Sequence, residues 1–182
     1  LLRKENDLIR IKKAVSSEFE LAAVVSKLNR KEAVLFEKVE DSEIKVACNI
    51  LGTRKRFSLA VGAEEENLIH LRVMRALSDK FVPKKLSGSA PFYENSSKDL
   101  TDLPIVTHFE KDAGPYITSS IVFAKDKERG NQNSSTHRLL QLDDKHMVIR
   151  MVEGRHLHKC YSFAKEHGED LKIAIAIGVH PA

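Results

Sequence analysis

The spacing of apolar and polar residues changes along this chain, and each change predicts an element. Residues 7–15 alternate apolar and charged side chains, the period of a half-buried strand. Ser17-Glu18-Phe19-Glu20 has the form of a capping box, with Ser17 as N-cap and Glu20 at the third helical position. The helix it opens would carry Leu21, Val24, Val25 and Leu28 on one face. Residues 33–39 and 44–51 read as strands around the turn Glu40-Asp41-Ser42. Glu64, Glu65 and Glu66 favour a helix start, because carboxylates are attracted to the positive end of the helix dipole. Ile69, Val73, Ala76 and Leu77 then form an apolar stripe. This first half reads as an α/β unit.

Residues 82–91 mix Pro, Lys, Gly and Ser and predict a linker or surface loop. After them the pattern turns to short strands at 117–125, 139–142, 147–152 and 171–179. One helix interrupts over about 155–165, with Leu157, Cys160, Tyr161 and Ala164 on its buried side. Mostly antiparallel strands with one helix suggest the beginning of a barrel or split barrel. The polar turn Asp143-Asp144-Lys145 predicts a hairpin that draws together the ends of segment 131–156. Asn133 and Arg138 are then expected near Arg150, Arg155 and His156.

Length and charge narrow the class without choosing a function. A chain of 182 residues suits one or two domains and can bury a core. No apolar run approaches the roughly 20 residues of a membrane helix, and residues 1–7 have no apolar segment of secretory type. Two cysteines make no disulfide framework, so reduced thiols in the cytoplasm are expected. The 30 basic residues are spread among 26 acids, and the locally basic runs are 54–56 and 84–85. Without interleaved aromatics these runs argue against a nucleic-acid surface. No nucleophile elbow, Walker loop or dinucleotide fingerprint is present.

Candidate chemistry gathers in 131–156. The amide oxygen of Asn133 and the imidazole of His156 suit Mn²⁺, and Mg²⁺ less naturally, when a phosphate supplies further oxygens. Asn131 offers the same amide two positions earlier. The planar guanidinium of Arg138 matches a carboxylate in a two-bond fork that Lys cannot make. The competing reading is a solvated strand Arg in a weak surface pair. Arg155, at the foot of a helix, is placed to meet a phosphate with help from the helix N-terminus. Arg54 and Arg56 read as a basic solvated face, and Cys160 as a buried structural thiol. The residues alone describe an anion and metal site, and no reaction.

A family likeness rests on the same residues. NSSTHR at 133–138 and RHL at 155–157, together with NILGTRKR at 49–56, LPI at 103–105, GPYIT at 114–118 and AIAIG…PA at 174–182, stand in the order of the UbiD decarboxylases. The chain resembles that family over nearly its whole length. The resemblance implies a small N-terminal α/β domain over 1–90 and the first, incomplete part of a flavin-reductase-like split β-barrel over 91–182. It implies prenylated FMN as electron sink, clamped through its phosphate by Mn²⁺ or Mg²⁺ on Asn133 and His156, with K⁺ as a further candidate ion. Arg138 would orient the substrate carboxylate. Ser135, Thr136 and His137 would line the cofactor, the last two mainly through their backbone. Arg150, Met151 and Val152 match a second segment that touches it, and Arg155 lies beside its phosphate.

By the same resemblance the parent enzyme is a homo-oligomeric carboxy-lyase acting on a small unsaturated or aromatic acid. The Thr-His-Arg form of the motif looks closest to archaeal members. Anhydromevalonate phosphate is therefore favoured over a hydroxybenzoate. A third metal ligand, the proton-shuttling acids and a phosphate-binding Lys would follow Ala182, so this chain alone is expected to be inactive. A non-catalytic flavin-binding or accessory subunit and a basic nucleic-acid module are the rival readings.

Overall fold

The computed structural model describes residues 2, 7–28, 31–79, 87–88 and 90–180. Four expectations from the sequence fall wholly or partly outside them: the linker at 82–86 and 89, the basic pair Lys84-Lys85, the first residues of the chain, and Pro181-Ala182.

The first sheet comprises β1 (Ile9–Ile11), β2 (Val34–Phe36) and β3 (Val46–Cys48), in that order. β1 and β2 are parallel, so a crossover must join them, and α1 (Glu20–Lys27) supplies it. β2 and β3 are antiparallel around the expected turn, where Asp41 adopts a φ of 59°. Val34 and Phe36 are fully buried and pack with Leu21, Val15 and Val39, and Val24, Val25 and Leu28 pack against them. The predicted face of α1 is therefore the one it buries. The strand expected over 7–15 is shorter, because beyond Ile11 only Val15 pairs, by a single bridge to Val39.

The capping box is out of register. Phe19 is the N-cap, at φ 63°, and Glu20 accepts instead from the Ser16 N–H at 2.8 Å. A tertiary contact overrides the local cap: Phe19 N–H donates to the Thr107 carbonyl at 3.0 Å and Thr107 N–H to Ser17 at 3.1 Å. The same segment sends Val106 into the first core.

Helix α2 (Arg54–Val61) was invisible to apolar periodicity and is made by its ends. The Thr53 hydroxyl accepts from Arg56 N–H at 3.3 Å, and Gly62 closes the helix in the left-handed region at φ 68°. Arg56 is not solvated as expected: it is 3% exposed, donates to Asp7 at 2.8 Å and also donates to the Lys31 carbonyl. Buried this way, it fastens α2 to the segments before β1 and β2. Arg54 stays exposed and reaches the Glu66 carbonyl at 3.2 Å. Gly52 lets the segments meet, since a Cβ there would lie 3.0 Å from the Arg56 guanidinium and 3.1 and 3.2 Å from the carbonyls of Lys31 and Asn49. The acids Glu64–Glu66 lead into a 3-10 turn at Glu66–Leu68, and helix α3 (Ile69–Ser78) begins only after it, with no acid in its first turn; it buries no residue, and Leu77 is 77% exposed.

The second sheet has the order β6-β5-β4-β7, antiparallel throughout. Its members are β4 (Tyr116–Asp126), β5 (Asn131–Gln141), β6 (Met147–Ile149) and β7 (Ile173–Ala176). β5 is much longer than expected, because its first eight residues are polar and carry no apolar alternation. Helix α4 (His156–Glu166) covers one face through Leu157, Cys160 and Ala164, the first two packing on Val122 and Ala124. Tyr161 lies at the rim of that contact and is exposed, contrary to expectation. The β5–β6 hairpin forms as predicted, and its turn is held by the Asp143 carboxylate, which accepts from the N–H groups of Lys145 (2.9 Å) and His146 (2.7 Å).

Two outcomes test these contacts. Gly52→Ala should lower stability to urea by about 1 to 3 kcal/mol, because backbone on two segments must give way. The hydrogen bonds from Lys145 N–H and the His146 side chain hold the Asp143 carboxyl below the usual carboxylate range. A depressed folded value stabilises the turn above that range and loses the effect as the pH falls through it. Thus an acid titration followed by NMR should give Asp143 a midpoint below an unstructured Asp, with turn signals broadening only at that lower pH.

Candidate functional site

Strand alternation decides which side chains of β5 can act together. Asn133, Ser135 and His137 lie on the α4 side with the buried Leu139, whereas Ser134, Thr136 and Arg138 face the open side. Asn133 stands opposite Ala124, Ser135 opposite Val122 and His137 opposite Ser120, all three partners buried. The three polar side chains are in contact along the row: Asn133 Nδ2 is 3.4 Å from Ser135 Oγ, which is 2.9 Å from His137 Nε2.

A bulge in β4 sets the position of the strand beneath Arg138. The register slips by one between Ile117 and Ser120, and Thr118 and Ser119 both point to solvent. Ser120 has no exposed surface, and its hydroxyl donates to the His137 carbonyl at 2.7 Å. On the open face the Arg138 guanidinium lies 5.9 Å from the centre of the Tyr116 ring. The β5–β6 ladder ends at Leu139 and Ile149, one residue short of Arg138 and of Arg150. Both arginines are exposed, so each guanidinium is open to an anion.

The sheet's geometry leaves an opening along this strand. β6 pairs only with 139–141 of β5, so among the described residues the other edge of 131–138 has no partner strand. Its backbone N–H and C=O groups are available to a ligand. Asn133 and Arg138 lie on opposite faces, about 17 Å apart along the strand at the usual rise per residue. They do not form the single tight cluster that the hairpin alone suggested, but both flank this edge.

Helix α4 brings the remaining residues to the same sheet. His156 is its first residue and Arg155 its N-cap; both are exposed, and no side chain caps the first turn. Leu157, next in the chain, shares the buried cluster with Ala124, the cross-strand partner of Asn133. Met151 packs against that cluster, while Val152 is exposed. Burial raises the Cys160 thiol above its ordinary value, in keeping with a structural role. Two clefts of about 740 and 580 Å³ lie elsewhere, the first around Phe19 and Phe109 and the second around Cys160 and Phe163. Neither is lined by a residue expected in the site.

Sequence reasoning passed over Ser120 and Tyr116. The broken alternation at Thr118-Ser119-Ser120 was the available signal for the bulge. Ser120→Ala should cost about 1 to 3 kcal/mol in urea unfolding, because it leaves the His137 carbonyl without its hydroxyl donor.

Comparisons with known proteins agree with one another. The N-terminal domain of 3-octaprenyl-4-hydroxybenzoate carboxy-lyase (UbiD) matches residues 1–77, and its Rift-related domain matches residues 84–182. The anhydromevalonate phosphate decarboxylase of Methanosarcina mazei is 37% identical over 99% of this chain and 41% of its own length. The enzyme of that name from Methanothermobacter thermautotrophicus is 35% identical over 92% of this chain and 39% of its own. The UbiD-class enzyme HmfF of Pelotomaculum thermopropionicum, solved with FMN, superposes with a TM-score of 0.91 at 34% identity, over 99% of this chain and 41% of its own. The chain thus spans about two fifths of the length of these relatives.

Proposed function

This chain belongs to the UbiD family of carboxy-lyases, and we propose that it supplies the flavin-facing strand and part of the metal site of a decarboxylase acting on anhydromevalonate phosphate. The observation that carries the reading is the unpaired edge of β5 at 131–138, flanked by Asn133 and Arg138 and approached by the start of α4. Residues 1–90 form the N-terminal α/β domain of this reading and 91–182 the first part of the cofactor-binding barrel. A homo-oligomer in the cytoplasm is the setting we assign, and the free thiols of Cys48 and Cys160 agree with it.

The residues fit the cofactor by their chemistry. Free backbone N–H groups on the β5 edge, with Ser135, Thr136 and His137 beside them, would line the flavin. Arg150, Met151 and Val152 approach from the end of β6. Arg155 and the uncapped N–H groups at the start of α4 would hold its phosphate. Asn133 Oδ1 makes no hydrogen bond among the described residues, which leaves it free, with His156, to take Mn²⁺ or Mg²⁺. Among the described residues no three His, Cys, Asp or Glu side chains gather as a metal site, so further donors come from the phosphate and from elsewhere in the protein. K⁺ would accompany the divalent ion. Prenylated FMN, when bound, supplies the electron sink for decarboxylation.

The work of the protein's own groups is orientation. Arg138 grips the substrate carboxylate in a two-bond fork, and Tyr116 steadies its guanidinium. Ser120 fixes the backbone from which Arg138 projects. Relatives with the anhydromevalonate phosphate name match at 35% and 37% identity, against 27% for the vanillic acid decarboxylase of Sedimentibacter hydroxybenzoicus, which favours the phosphorylated substrate over an aromatic acid.

A full-length enzyme containing this chain, loaded with prenylated FMN and Mn²⁺, should release CO₂ from anhydromevalonate phosphate and far less from vanillate. Arg138→Lys should lower that rate by roughly 100-fold while the flavin spectrum is kept, since one preorganised donor pair is lost. An unchanged rate would remove Arg138 from the chemistry.

A further inference from the structure

The bulge in β4 does more than bring Ser120 to a carbonyl, because it also decides what stands across from Arg138. Ile117 pairs with Leu139 and Ser120 with His137, so Thr118 and Ser119 together stand opposite the single residue Arg138. Strict alternation from the buried Ile117 would expose Thr118, bury Ser119 and expose Ser120. The extra residue reverses the last two: Ser119 is exposed and Ser120 is fully buried. Two consecutive hydroxyls therefore reach the open face, on which Arg138 is also exposed. Residues opposite one another on antiparallel strands hold their Cβ atoms roughly 5 Å apart, so the three side chains are neighbours. The Arg138 guanidinium lies 5.9 Å from the centre of the Tyr116 ring, and Tyr116 is two residues before Thr118 on β4. The cation thus leans over the bulged strand, away from the free edge of β5. Neither the Thr118 nor the Ser119 hydroxyl has a hydrogen-bond partner among the described residues.

We propose that the bulge residues Thr118 and Ser119 complete the carboxylate site of Arg138, their hydroxyls donating to the substrate carboxylate that the guanidinium grips. A carboxylate only accepts hydrogen bonds, and a two-bond fork uses one lone pair on each of its oxygens. Each oxygen keeps a second lone pair, and a hydroxyl meets it without adding a charge that would repel the arginine. The bulge is what makes two such donors available at one place, since a regular strand would turn one of them inward. The contribution falls on binding. The carboxylate charge is present in the bound substrate and is lost as CO₂ departs, so the hydroxyls strengthen the ground state and not the transition state.

This proposal rests on the reading of Arg138 as the carboxylate-binding residue, and its test separates the two. The full-length enzyme containing this chain, loaded with FMN, is titrated calorimetrically with two ligands. One is a saturated analogue of anhydromevalonate phosphate, which has no double bond to react. The other is the product of decarboxylation, which keeps the phosphate and lacks the carboxylate. Thr118→Val and Ser119→Ala should each weaken the acid about 10-fold, the loss of one hydrogen bond to a charged group, and leave the product's affinity unchanged. Thr118→Ser and Ser119→Thr keep a hydroxyl and should bind the acid as the parent does. In turnover with prenylated FMN and Mn²⁺ the loss should fall on KM and not on kcat. Equal weakening of acid and product would put the hydroxyls on the phosphate and overturn the proposal. Unchanged acid affinity in both hydroxyl variants, with a loss in Arg138→Lys, also overturns it and leaves the reading of Arg138 standing. If Arg138→Lys itself binds the acid as tightly as the parent, the carboxylate role of Arg138 fails, and the role of the hydroxyls falls with it.

Discussion

Pairing of β5 on one side only is the constraint on which the site depends. Along 131–137 the strand is tied to β4 by a continuous antiparallel ladder, while β6 begins to pair only at Leu139. One edge is therefore rigid and the other is open. A ligand on that edge meets backbone donors whose positions are fixed by the ladder behind them, at no cost in loop ordering. The bulge at Thr118 and Ser119 refines the arrangement, since the slip in register brings the Ser120 hydroxyl beneath the His137 carbonyl. Polar residues that would be poor strand formers by propensity are held extended by this pairing.

Alternation on that strand separates two kinds of chemistry. Neutral polar groups, Asn133, Ser135 and His137, fall half-buried on the side covered by α4 and are linked along the strand through Ser135. The cationic group of the strand, Arg138, falls on the open side, where it is exposed to solvent beside Tyr116. The division follows from the period of two, and it keeps the guanidinium away from the proposed cation.

The first half of the chain supports this sheet from a distance. Thr107 bonds to both Ser17 and Phe19, and Val106 is buried against Phe36 and Leu21, so the segment that leads into β4 is anchored in the first core. Arg56 plays the corresponding part inside that unit, joining α2 to the segments before β1 and β2. The same spacing of Asn49, Gly52 and Arg56 that carries the family likeness is thus explained by packing around one buried guanidinium. The exposed stripe of α3 is the exception, since its apolar period foretold burial that the described residues do not provide.

By itself the sequence determined the elements whose period follows directly from burial: the face of α1, the β5–β6 hairpin and its turn, and, Tyr161 apart, the buried side of α4. It also determined the family, because ordered short motifs persist where single residues are ambiguous. What it left undecided needed partners far away in the chain. Ser17 could not be known to lose its cap to Thr107, Arg56 could not be known to be buried by Asp7 and Lys31, and a polar stretch such as 131–138 carries no apolar rhythm to mark it as strand. Only the tertiary structure decided these, because each depends on hydrogen bonds between segments distant in sequence, and local propensity contains no term for them.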